Sequence, residues 1–119
     1  MWEAISSHMK TEIDNDVLII IPAGQVDTST SPELENVIFE NIEKGYKKIV
    51  VDMGETDYMS SAGIRILLKA AKQLPKLNGR ILLANTNDQI QDVLNVSGLM
   101  SLIVSWGTRE EAIRAASDG

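Results

Sequence analysis

Two neighbouring hydroxyls, Ser60 and Ser61, stand where an apolar run hands over to a helical pattern. Residue types and spacing suggest chemistry most clearly there. Upstream, Ile49, Val50 and Val51 form the β-branched run of a strand buried on both faces. Gly54, Glu55, Thr56 and Asp57 supply turn-type side chains, and Tyr58 and Met59 lead to the serines. Beyond them Ala62, Ile66, Leu67, Ala70 and Leu74 recur at helical spacing, with Arg65, Lys69, Lys72 and Lys76 opposite. A helix starting here leaves its first N–H groups without partners, and Ser60 or Ser61 can cap one of them. The same groups and the positive end of the dipole favour an added anion. A phosphate on Ser61 would bring about −1.5 to −2 charges and three acceptor oxygens. Ala62 and Gly63 leave the serine's surroundings bare, open to close approach by another protein. The plainer alternative makes Ser60 an N-cap and Gly63 a packing residue.

Other uses of the serine fit less well. A nucleophilic serine needs a base beside its hydroxyl and a group orienting that base. The sole histidine is His8, and Gly-x-Ser-x-Gly is absent. Lys69 follows Ser61 by eight positions, roughly 12 Å along a helix axis. No phosphate-cradling Gly-x-x-x-x-Gly-Lys-Ser/Thr loop is present. The chain is therefore expected not to be an enzyme, and no cofactor is expected. Asp52, Glu55 and Asp57 crowd carboxylates near the site; they read as solvated turn residues, and no metal is expected.

The elements that must position the serines follow from the rest of the pattern. Val17 to Ile21 reads as a strand, with a hairpin partner around Thr11 to Ile13 and a turn at Asn15-Asp16. Pro22, Ala23 and Gly24 close it, and Val26-Asp27-Thr28 crosses to a helix. Ser31 is the expected N-cap, followed by Pro32 and acidic Glu33 and Glu35. Leu34, Val37, Ile38 and Ile42 give that helix one apolar face, and Gly45 ends it. After a break at Pro75 to Gly79, Ile81 to Ala84 is a core strand. Asn85, Thr86 and Asn87 cap a short helix through Ile90, Val93 and Leu94, which Ser97-Gly98 ends. Leu102 to Val104 reads as the next strand. Thr108 and Glu111 form a capping box on a last helix, Arg109 to Ala116. Alternating strands and helices imply βαβ crossovers and largely parallel pairing.

Whole-chain properties bound the function. A length of 119 residues suits one domain. A net charge of −6 opposes a phosphate-neutralising role, and 4% aromatic residues leave little to stack on bases; no nucleic-acid partner is expected. Without cysteine there is no disulfide or thiolate chemistry. No apolar run approaches the ~20 residues that span a bilayer, and the start lacks the pattern of a signal peptide. The expectation is a cytoplasmic protein with no membrane insertion. Ser7-His8-Met9 resembles a scar from a tagged expression vector. Residues 1–9 are accordingly read as a vector-derived or flexible N-terminus, and residues 10–119 as the domain. Alternatively, Trp2, Ile5 and Met9 form one face of a short native helix.

The stretch GETDYMSSAGIRILL resembles the signature of STAS domains of anti-sigma factor antagonists (anti-anti-sigma factors). In that family an aromatic–Met–acid–Ser–Ser/Thr–Gly stretch opens a helix, and the serine after the acid is phosphorylated. Here the aromatic falls on Tyr58, the Met on Met59, the acid's position on Ser60 and the phospho-acceptor on Ser61. Ala62 and Gly63 take the places of the small residue and the glycine. The missing acid makes Ser60 a rival acceptor. Gly24-Gln25-Val26-Asp27 resembles the family's Gly-x-aliphatic-Asp turn, which places Asp27, with Thr28, beside Ser61 on the partner surface. The alternative is that Asp27 and Thr28 only satisfy loop backbone groups.

The resemblance runs from about Glu12 to Ser117. It implies an α/β fold: a four- or five-stranded mixed, mostly parallel sheet flanked by four to five helices. It also implies a phosphorylation-controlled switch. The unmodified protein would bind an anti-sigma factor with serine kinase activity, which would end the interaction by phosphorylating Ser61, and a serine phosphatase would reset it. One alternative is a non-switching STAS scaffold, such as a subunit of a lipid-transport ABC complex or of a signalling assembly. A third class is a small-ligand or nucleotide-binding module.

Overall fold

The computed structural model describes residues 9–118. The proposed scar at Ser7-His8 and the alternative helix face at Trp2 and Ile5 lie outside the described residues. In chain order the elements are β1 (Lys10–Asp14), β2 (Val17–Ile21), β3 (Gly24–Val26), α1 (Ser31–Glu43), β4 (Lys48–Asp52), β5 (Thr56–Met59), α2 (Ser61–Gln73), β6 (Arg80–Ala84), α3 (Asp88–Ser97), β7 (Ser105–Trp106) and α4 (Arg109–Asp118). Short 3-10 turns follow α2 at Leu74–Leu77 and α3 at Leu99–Ser101.

Asn15 and Asp16, at φ 51° and 61°, make the tight turn expected between β1 and β2. Positive φ at both central residues matches the right-handed twist of the flanking strands. The strands pair antiparallel, from Lys10 opposite Ile21 to Asp14 opposite Val17. The main sheet has the order β1-β2-β4-β6-β7, and every other pairing in it is parallel. β3 and β5 form a separate two-stranded parallel sheet. The architecture is thus the expected α/β domain, with a mixed sheet of five strands and four described α-helices.

Side-chain alternation along the strands divides the core. Leu18, Ile20, Ile49, Val51 and Leu83 pack with Leu34, Ile38, Leu67, Ala70, Ile90 and Leu94 from α1, α2 and α3. Their neighbours Val17, Ile19, Ile21, Val50 and Leu82 turn to the opposite face and meet Ala112 and Ala116 of α4. β2 and most of β4 are buried on both faces, which is why they read as unbroken apolar runs rather than alternating ones.

Four boundaries differ from the sequence reading. Gly24 to Val26 and Thr56 to Met59 are strands rather than a crossing and a turn. Each is too short to carry a period of its own and exists by pairing with the other, Val26 opposite Met59. The last strand is Ser105–Trp106, not Leu102 to Val104. Leu102 and Val104 are about half exposed, although the Val104 carbonyl still accepts the Leu83 N–H at 3.0 Å. α1 has Thr30, not Ser31, at its N-cap, and Ser31 is buried in the first turn. The C-terminal ends of β4 and β6, the short sheet and the starts of α2 and α3 consequently gather at one edge, where parallel α/β folds collect their functional loops.

Candidate partner-binding site

Ser60 and Ser61 differ sharply in what their hydroxyls do. Ser60 has extended backbone angles and is the N-cap of α2; its Oγ accepts the Ala62 N–H at 3.2 Å. Its own N–H donates to the Val26 carbonyl at 2.9 Å, which ties the cap to β3. Ser61 is the first helical residue and is exposed. Its hydroxyl makes no hydrogen bond to any described residue. The cap role that the sequence left open between the two serines belongs to Ser60.

The rest of the motif lies beneath that surface. Met59 is fully buried and Ala62 is 9% exposed, whereas Tyr58 is 42% exposed beside them. A Cβ on Gly63 would lie 2.8 Å from Val26 Cγ1 and 3.0 Å from Met59 Cγ. Gly63 therefore admits the chain's own β3 and Met59 against α2, and the bareness inferred for a partner's approach serves internal packing instead. Met59 likewise offers a partner no side chain; it fixes the strand that ends at the serines.

Asp27 follows Val26 and so adjoins the Ser60 cap, but its carboxylate is committed to its own loop. It accepts from the Ser29 hydroxyl at 2.8 Å, the Ser29 N–H at 2.9 Å and the Thr30 N–H at 3.2 Å. These bonds, led by the Ser29 hydroxyl and then its amide, hold the carboxyl below its ordinary range. Thr30 Oγ1 accepts the Asp27 N–H at 2.9 Å and donates to the Gln25 carbonyl at 2.8 Å. The backbone-satisfying role is the one these contacts show for Asp27. Thr28 stands exposed at the loop tip.

The N-cap of α3, Asn87, which the sequence marks as a cap, and Gln89, which the sequence reading missed, complete the site. The Asn87 Oδ1 caps α3 by accepting the Ile90 N–H at 2.9 Å, while its Nδ2 donates to the carbonyls of Thr56 at 3.3 Å and Asp57 at 3.0 Å. Gln89 holds the peptide groups of Met59 from both sides of its amide. Its Oε1 accepts the Met59 N–H at 3.0 Å, and its Nε2 donates to the Met59 carbonyl at 3.3 Å. Asn87 was legible as a cap, but nothing in its spacing marks Gln89. Between α2 and α3 runs a groove of about 410 Å³ lined by Ser61, Ile64, Asp92, Val93, Val96 and Ser97. Val96 is 89% exposed; its signal in the sequence is an apolar residue off the buried stripe of its helix.

Of the three crowded carboxylates, Glu55 and Asp57 are exposed as expected, but Asp52 is not solvated. It is 6% exposed and receives Asn85 Nδ2 at 2.9 Å, the Gly54 N–H at 3.0 Å and Arg109 Nε at 2.7 Å. Burial pushes its carboxyl upward, but the bonds from Asn85, Arg109 and Gly54 and the guanidinium charge outweigh that and hold it below the ordinary range. Arg109 also reaches Glu12 at 2.6 Å, joining α4 to β1. Among the described residues no cluster of His, Cys, Asp and Glu could hold a metal ion, and no helix is long and apolar enough to cross a membrane.

The arrangement is an exposed hydroxyl at a helix start, beside an apolar groove. A family model for the STAS domain matches residues 8–112. The chain is 33% identical over 109 residues to BtrV of Bordetella bronchiseptica, provisionally named an anti-sigma factor antagonist, covering 90% of this chain and 94% of that one. It is 29% identical over 89 residues to the anti-sigma-B factor antagonist of Staphylococcus aureus, covering 74% and 82%. Its fold is similar to that of the anti-sigma factor antagonist SpoIIAA in the unphosphorylated form, at a TM-score of 0.79, 23% identity and coverage of 93% and 97%. The phosphorylated form of SpoIIAA, from Bacillus, matches at a TM-score of 0.71, 24% identity and coverage of 90% and 97%. The chain belongs to the STAS domain family.

Proposed function

We propose that this STAS domain is an anti-sigma factor antagonist whose binding is switched by phosphorylation of Ser61. The unmodified protein engages an anti-sigma factor with serine kinase activity in the cytoplasm and thereby releases the sigma factor. Transfer of the γ-phosphoryl group of the kinase's ATP to Ser61 Oγ, with release of ADP and the hydroxyl proton, ends the engagement. A serine phosphatase restores it by hydrolysing the ester to serine and inorganic phosphate. The observation that carries this reading is the contrast between the serines: Ser60 is occupied as a cap, whereas Ser61 is exposed at the mouth of the α2–α3 groove. The docking face comprises Ser61, the groove wall at Val93 and Val96, Tyr58 and the loop tip at Thr28. Met59, Ser60, Ala62, Gly63 and Asp27 shape it from beneath and beside.

Two similar proteins bear the name of anti-sigma factor antagonists, and SpoIIAA has been solved with and without phosphate on a fold similar to this one. The physical argument agrees with a switch in docking rather than in folding. A phosphate at the start of α2 meets the positive end of the helix dipole, so the domain tolerates it. Buried in an interface, the same charge must be desolvated, a penalty of several kcal/mol; each 1.4 kcal/mol is a tenfold loss of affinity.

Phosphopeptide mass spectrometry on the protein recovered from its native host, across growth and stress, tests the site. A condition-dependent phosphate on Ser61 supports the switch. Modification at Ser60 would move the switch to the other serine, and no modification at either would leave a non-switching scaffold. In capture experiments from the same cells, Ser61→Ala is expected to retain the anti-sigma factor and Ser61→Asp to lose it. Equal capture by both variants would refute the mechanism.

A further inference from the structure

We infer that Gln89 is a positioning residue that couples the α2–α3 groove to the presentation of Ser61. This deepens the partner site proposed above and rests on that reading for its purpose, though not for its geometry. The short strand β5 has two edges. β3 fills one, and on the other stands α3, which offers no strand for it to pair with. The Met59 N–H and carbonyl face that helix beneath a fully buried side chain, where unpaired peptide groups are costly. The Gln89 carboxamide supplies one acceptor and one donor to one residue, as a neighbouring strand would. A glutamate would keep the acceptor and set its second oxygen against the Met59 carbonyl. A shorter side chain would reach neither group.

The placement of Gln89 along α3 gives the clamp its consequence. Asp92, Val93 and Val96 follow it by three, four and seven positions, so all four residues share one helix face. The last three of them line the groove opposite Ser61 and Ile64. The N-terminal end of that same face is bonded to Met59, two residues before Ser61. A partner side chain that presses on Val93 or Val96 thus moves a helix whose end holds the peptide group leading into the serines. Asn87, bonded to the Thr56 and Asp57 carbonyls, restrains the same strand three and two residues before Met59.

The test is NMR of the unmodified full chain and involves neither kinase nor phosphate, so it can fail while phosphorylation of Ser61 stands, and the reverse. In Gln89→Ala the Met59 amide is expected to exchange with solvent at least tenfold faster, with the amides of β4 unchanged. Gln89→Glu, which keeps the acceptor but sets its second oxygen against the Met59 carbonyl, should restore part of that protection. Val93→Ala then perturbs the groove wall: it is expected to shift the Met59, Ser60 and Ser61 amide resonances in the wild-type background and not in Gln89→Ala. If Gln89→Ala does not fold, Gln89→Met, which keeps the length and loses both bonds, replaces it. An unchanged Met59 exchange rate, an equal acceleration throughout β4, or identical Val93→Ala shifts in both backgrounds would each overturn the inference.

Discussion

Replacing Arg109 with methionine isolates the ion pair that anchors the loop leading to the site. The variant keeps most of the aliphatic length and removes the contact of Nε with Asp52 at 2.7 Å and that of Nη1 with Glu12 at 2.6 Å. Glu12's side chain is 53% exposed, so its share is that of a surface pair, about 0–1 kcal/mol. The Asp52 side chain is only 8% exposed, and stripping the partner from a fully buried pair costs about 3–5 kcal/mol. Here Arg109 is itself 28% exposed and Asp52 retains Asn85 and the Gly54 N–H. The expected loss therefore lies between those limits, at about 2 kcal/mol. At roughly 3–6 °C per kcal/mol for a domain of this size, Tm should fall by roughly 6–12 °C.

The pH dependence separates charge from packing. The folded state holds the Asp52 carboxyl below its ordinary value, so the ionised form stabilises the fold. That contribution is fully present above the unfolded pKa of about 3.9 and disappears as pH falls through the lower folded value. Removing Arg109 should consequently cost most near neutrality and progressively less in acid. Urea titrations of both proteins at neutral and acidic pH measure this directly. A loss as large in acid as at neutrality would assign the effect to aliphatic packing. A neutral-pH loss below about 0.5 kcal/mol would make the pair no stronger than an exposed one.

Gly63→Ala gains about 1 kcal/mol of helix propensity but drives a methyl into Val26 and Met59; with overpacking costing about 1–3 kcal/mol, a net destabilisation is expected, read from the urea midpoint and relieved by Val26→Ala. Ser60→Ala should cost about 1 kcal/mol for the lost cap, whereas Ser61→Ala should stay within about 0.5 kcal/mol, compared by thermal melting. Val96→Ser should leave Tm nearly unchanged, because the residue is 89% exposed, yet lower recovery of the anti-sigma factor in capture experiments.

Several features were decided by the sequence alone. Val17 to Ile21, Ile49 to Val51 and Ile81 to Ala84 are apolar enough to bury both faces, so a layered α/β domain was readable from them. Asn15-Asp16, Asn87 and the Thr108–Glu111 box are local devices whose bonds close within a few residues, and each formed as read. The serine pair at a strand-to-helix junction was legible for the same reason. Tertiary structure decided what depends on distant partners. β3 and β5 have no period of their own and become strands only against each other. Asp52 reads as one more acidic turn residue until Arg109, 57 positions away, arrives beside it. Gln89 carries no pattern, and its role appears only when α3 docks on β5. Which serine is free also had to wait for the fold: the sequence offers two hydroxyls to one helix start, and the backbone bond from Ser60 to Val26 selects the cap and leaves Ser61 to solvent.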